Sequence, residues 1–145
     1  MIPADKGTYA LLLRVTRTRR IRVGRLGLID FPAGHYLYVG SAFGPGGLRA
    51  RIAHHLRISA RPRWHVDYLR RACRITEVWY VMGKRRECAW ARTLAKRPGL
   101  MPVTGFGCSD CNCATHLFHT AGIPSRACLG KRLQRVACSG SGTPA

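Results

Sequence analysis

The chain has 145 residues, about the length of one domain, and its apolar share of 46% is too high for a disordered polypeptide. Twenty-five basic residues against six acidic ones give a net charge of +19, and 21 of the 25 are arginine, whose planar fork of donors matches pairs of phosphate oxygens. This balance points to a polyanionic partner, nucleic acid above all; with no long basic amphipathic helix and no apolar run near the roughly 18 residues of a membrane span, a membrane partner is not expected.

In chain order, Gly7–Val15 (GTYALLLRV) is a mostly apolar run that predicts a central strand. Residues 16–20 are polar and basic, a turn. Residues 19–24 alternate basic and apolar side chains, which predicts a half-buried strand with an arginine face. Residues 26–31 are its hairpin partner, closed by Pro32-Ala33-Gly34, and residues 35–41 predict a further strand. Phe43-Gly44-Pro45-Gly46-Gly47 must break regular structure. Residues 48–58 predict a helix with Leu48, Ile52, His55 and Leu56 on one face. Residues 64–72 predict a second helix, Arg74–Met82 a buried strand, and 85–96 a third helix stopped by Pro98-Gly99. Residues 105–119 read as an irregular cysteine-rich segment, and Ser-Gly-Ser-Gly-Thr-Pro-Ala at the end reads as a disordered tail. The expected fold is α/β (α+β): a small mixed or antiparallel sheet flanked by helices, with a basic hairpin inserted. The expected domain spans 6–119, and 120–145 is expected as a flexible extension. The N-terminus lacks a basic end followed by an apolar stretch, so no secretory leader is expected and the expected compartment is the cytoplasm.

Four features carry candidate chemistry. Gly7-Thr8-Tyr9 opens the first strand, Tyr38-Val39-Gly40 closes a later one, Leu48-x-x-Arg51-x-x-x-His55 follows on a helix, and Glu87 falls in the first turn of another. On the residues alone, Tyr9 and Tyr38 read first as packed sheet tyrosines and Arg51 as one solvated arginine among many. His55 reads equally as a core or a catalytic histidine, and Glu87 as a charge that suits a helix N-terminus.

The ordered set resembles the GIY-YIG nuclease superfamily, with Gly7-Thr8-Tyr9 and Tyr38-Val39-Gly40 standing for the two name-giving tripeptides. The strings around them, Phe31-Pro32-Ala33-Gly34-His35-Tyr36 through Ser41-Ala42, Arg63-Trp64-His65-Val66-Asp67-Tyr68-Leu69 and Gly105-Phe106-Gly107-Cys108-Ser109-Asp110-Cys111, are similar to a branch of it also found fused to endonuclease III-type DNA repair enzymes. The resemblance covers residues 6–118. It implies that Tyr9 acts as general base or water-positioning group, helped by a cation such as Arg51 or a metal that lowers its ordinary pKa of about 10. It further implies that Tyr38 orients water or phosphate, that Arg51 clamps the phosphate, that His55 shares the proton work, and that Glu87 holds Mg²⁺ or Mn²⁺. Asp67 is the competing metal ligand; its leading role is to tie the second helix to a basic neighbour.

The chain departs from the superfamily in two places. Twenty-eight residues lie between Tyr9 and Tyr38 where the usual spacing is short, enough for an arginine-rich ribbon. Arg20 and Arg22 on that ribbon, with Arg49 and Arg57 on the following helix, are the expected nucleic-acid contacts. The Asn that many members carry after the glutamate helix is missing, and a cysteine segment stands there instead.

Cys108-x-x-Cys111-x-Cys113-x-x-His116 offers four soft ligands, a candidate zinc site. The alternative is a loop of reduced thiols, with Asp110 and His116 hydrogen-bonding locally. The expected function is a metal-dependent endonuclease on DNA, more than RNA, with a link to DNA repair. The alternatives are a nucleic-acid-binding module on the same scaffold and a zinc-stapled interaction domain.

Overall fold

The computed structural model describes residues 2–108, 111–130 and 132–138. The central strand β1 (Gly7–Val15) pairs along its whole length with β4 (Gly34–Ala42), from Gly7 opposite Ala42 to Val15 opposite Gly34. On its other side lies β5 (Arg74–Met82). All pairings are antiparallel, and adding β6 (Leu100–Pro102), β7 (Leu117–Thr120) and β8 (Gln134–Ala137) gives the order β6-β7-β4-β1-β5-β8. The register on β5 slips by one residue between Leu12 and Leu13, and the Thr76 hydroxyl at the slip donates to the Leu12 carbonyl at 3.2 Å.

Because β1 is covered on both faces, its run is apolar rather than alternating. Tyr9, Leu11, Leu13 and Val15 face one core with Leu48 and Ile52 of α1 (Gly47–Leu56) and Val66 and Leu69 of α2 (His65–Arg70). Ala10 and Leu12 face the opposite core with Trp90, Ala91 and Leu94 of α3 (Glu87–Ala95). Leu56, expected on the buried face of the first helix, is 42% exposed because α1 ends there.

The basic hairpin forms a separate ribbon of β2 (Arg19–Arg22) and β3 (Leu28–Phe31), anchored by buried Val23 and Phe31. The segment expected as an extension outside the domain instead supplies β8, which covers the β5 edge. Buried Leu133 precedes it, and Arg135 forks onto Glu77 at 2.7 and 2.9 Å. The expected tail at 139–145 lies outside the described residues. No described helix is long and apolar enough to cross a membrane.

Candidate active site

The antiparallel register sets Tyr9 opposite Gly40, and the tyrosine ring lies across that glycine. A Cβ at position 40 would stand 2.5 Å from the phenol oxygen, so only glycine leaves room for the ring. Tyr9 Oη lies 2.6 Å from Nε2 of His55 on α1, and the Tyr38 ring meets the same imidazole edge-on. One turn earlier on α1, Arg51 Nη1 donates to the Ser41 carbonyl at 2.9 Å, and the guanidinium lies over the Trp64 ring at 4.3 Å.

Glu87 arrives from the other layer. It is the first residue of α3, and the loop before that helix is pinned to β1 by buried Thr8, whose hydroxyl accepts from the Arg86 amide at 2.8 Å and donates to the Lys84 carbonyl at 3.1 Å. Ser41 Oγ donates to Glu87 Oε1 at 2.8 Å, and Arg85 stands 3.6 Å from the same oxygen. The result is an open cleft of about 310 Å³ at the end of the sheet, walled by Tyr9, Tyr38, Ser41, Arg51, Glu87 and His116. A recess of about 360 Å³ beside α3, with Ala91, Ala95 and Phe118 in its wall, is mostly apolar and gathers no comparable set of polar groups.

Burial dominates the titration of the buried pair. It raises the Tyr9 phenol well above its ordinary value, with the nearby Arg51 opposing, and raises Tyr38 likewise. Arg51 pulls the Tyr9 pKa down, as expected of a neighbouring cation, but burial outweighs it. Burial pushes His55 down to about 3 against the pull of Asp67. With the phenol protonated and the imidazole neutral, Oη donates and Nε2 accepts, which leaves the ring proton on Nδ1. That atom is buried without a hydrogen-bond partner, 3.9 Å from Oδ1 of Asp67. Burial alone would raise the Asp67 carboxyl, but the amides of Trp64 and Arg63, at 3.0 and 2.8 Å, and His54, at 3.1 Å, together hold it below its ordinary value. Asp67 thus ties the start of α2 to His54 and does not line the cleft.

Tyr9, Tyr38, Arg51, His55 and Glu87, widely spaced in sequence, converge at this one place. The expected nucleic-acid arginines do not line the cleft. Arg20 and Arg22 are exposed on the ribbon, where Arg20 pairs with Asp30 at 2.8 Å. Exposed Arg49 donates to the Ile2 carbonyl at 3.0 Å. Exposed Arg57 lines a shallow groove with Arg63 that shares Arg51 and Trp64 with the cleft. Buried Arg70 is a further structural residue that no motif marks: it donates to the carbonyls of His55, Leu56 and Cys73 at 2.9, 3.3 and 2.6 Å, closing the end of α1 under the catalytic candidates.

Of the four expected ligands of the cysteine segment, the structure brings three together. The ligand atoms of Cys111, Cys113 and His116 gather with Cys88, on the first turn of α3, all within 4.8 Å of one another. Cys108 is outside that group, and its thiol donates to the Phe106 carbonyl at 3.5 Å. Burial, with neighbouring thiols adding to it, pushes Cys108 and Cys113 up to about 12. Asp110 lies outside the described residues. No curated protein and no solved structure matches the chain. Residues 8–137, from Thr8 on β1 through β8, match the family described as Domain of unknown function DUF123, and the chain belongs to that family.

Proposed function

We propose that this chain is a metal-dependent nuclease that hydrolyses phosphodiester bonds of DNA, as the resemblance of its tripeptides to the GIY-YIG nucleases implies. The observation that carries the reading is the convergence of Tyr9, Arg51 and Glu87, from three elements and both layers, on one open polar cleft.

The high pKa of the phenol is compatible with base catalysis because His55 stands behind it. A water at Tyr9 Oη gives its proton to that oxygen as the phenol proton passes to Nε2, 2.6 Å away, so no free phenolate accumulates. Asp67, with Oδ1 at 3.9 Å from Nδ1, favours the imidazolium that results and offsets part of its burial. Arg51, held by the Ser41 carbonyl and over the Trp64 ring, keeps further donors for the phosphate. Glu87 suits a magnesium or manganese ion: Ser41 and Arg85 take Oε1, while Oε2 faces His116 Nδ1 at 4.0 Å. A hard cation that keeps most of its waters needs only one or two carboxylates, and when bound it offsets charge growing on the phosphate and the leaving oxygen.

The test is nicking of supercoiled plasmid with Mg²⁺ or with chelator, by wild type and by Glu87→Ala and Tyr9→Phe. Metal-dependent nicking lost in both variants is expected. Salt-sensitive DNA binding without any nicking would replace the nuclease by a nucleic-acid-binding module.

A further inference from the structure

We infer that Cys88, Cys111, Cys113 and His116 form a closed structural zinc centre that holds Glu87 from behind. Three thiols and an imidazole, from α3, the 103–116 loop and the residue preceding β7, bring their ligand atoms within 4.8 Å of one another. Tetrahedral zinc, with Zn–S near 2.3 Å and Zn–N near 2.0 Å, places its ligands roughly 3.5–3.8 Å apart. Cys111 Sγ and His116 Nε2 are already at 3.4 Å. A disulfide would use two of the three thiols and leave the third facing it, whereas a single soft cation satisfies all four groups. With three cysteines and one histidine the coordination is complete, as structural sites require.

The position explains what such an ion would do. The 103–116 loop has no helix or strand among its described residues and carries the rear wall of the cleft. Its end is fixed to the sheet, since the Val39 amide donates to the His116 carbonyl at 3.0 Å and the His116 amide donates to the Phe106 carbonyl at 2.8 Å. A metal bridging Cys88 to this loop would cross-link α3 to the sheet one residue beyond Glu87. With Nε2 on the metal, His116 carries its proton on Nδ1, and that atom faces Glu87 Oε2 at 4.0 Å. A ligating histidine that donates its other nitrogen to a carboxylate is the usual outer arrangement of zinc sites, and here it would orient the proposed magnesium ligand. The zinc centre stands apart from the nuclease reading; only its service to Glu87 rests on it.

The full chain, purified without chelator, is expected to hold about one zinc by elemental analysis. Replacement by Co²⁺ is expected to give thiolate-to-metal charge transfer and the strong visible bands of a tetrahedral site. Cys88→Ser and Cys113→Ser should weaken metal binding at least tenfold, while Cys108→Ser keeps the full stoichiometry. Wild-type protein with no bound metal and no cobalt spectrum would overturn the proposal, a result independent of whether any variant folds. Loss of metal in Cys108→Ser with retention in Cys88→Ser would overturn this ligand set. Zinc retained in a protein that never nicks DNA supports the centre and removes only the nuclease.

Discussion

Ser41 donates its hydroxyl to Glu87 at 2.8 Å while its carbonyl accepts from Arg51 at 2.9 Å. One small residue at the end of β4 thereby sets the distance between the carboxylate and the guanidinium. Ser41→Ala removes the first of these bonds and leaves the backbone hydrogen bond intact. Nicking is expected to fall by about 10²-fold, the cost of a misplacement near 1 Å, with thermal stability nearly unchanged. Nicking at the wild-type rate would mean that Glu87 is held by other groups.

Stability should depend on pH through His55. Its folded pKa of about 3 lies below its ordinary 6.5, so between these values the unfolded chain binds the extra proton. This contribution is full above pH 6.5 and declines as pH falls, by up to about 1.4 kcal/mol per unit, until the folded value is reached. His35, His65 and His116 are lowered by burial and add in the same direction. Asp67, whose folded pKa is depressed below 3.8, loses its own contribution only at lower pH. Urea unfolding from about pH 7 to pH 4.5 should show a shallower decline for His55→Gln than for wild type. Identical slopes would contradict a buried neutral imidazole.

Arg70 serves three carbonyls at the end of α1 and the turn after α2. Arg70→Met keeps most of the volume but strips those acceptors of donors. A loss of about 3 kcal/mol is expected in urea unfolding, since each orphaned buried polar group costs about 1–3 kcal/mol and partial solvation recovers some of it. A loss below about 0.5 kcal/mol would show that water replaces the guanidinium fully.

DNA affinity should track the groove beside the cleft. Arg57→Glu with Arg63→Glu is expected to weaken binding and to reduce the slope of log affinity against log salt by about 2, one unit for each phosphate that is no longer neutralised. Arg20→Glu with Arg22→Glu on the ribbon should weaken binding and flatten that slope too. Binding unchanged by the second pair would remove the ribbon from the interface.

The strands and helices that pack on two sides were legible in the sequence for a physical reason. Burial on both faces makes β1 a continuous apolar run, and α1 carries Leu48 and Ile52 one turn apart. β8 was not legible, because an edge strand needs few apolar side chains: in Gln134-Arg135-Val136-Ala137 only Val136 is even half-buried. The tripeptides located Tyr9 and Tyr38, and the scarcity of acidic residues narrowed the search to Glu87. Cys88 went unnoticed because it joins the loop cysteines in space, well upstream in sequence, and Arg70 because nothing distinguishes one arginine among 21. The proton path behind Tyr9 needs the burial of His55 and the placement of Asp67, which spacing along the chain does not reveal.

Thr8 pins the loop before α3 to the strand that carries Tyr9, although α3 packs on the opposite face from α1. The cleft is therefore a product of both layers: a folding intermediate with only α1 and α2 docked would hold Tyr9, His55 and Asp67 but lack the Glu87 carboxylate. On the proposed function, such a species would keep its arginines but not its metal ligand, so cleavage competence would come only with the last docking event and would report that the whole domain had assembled.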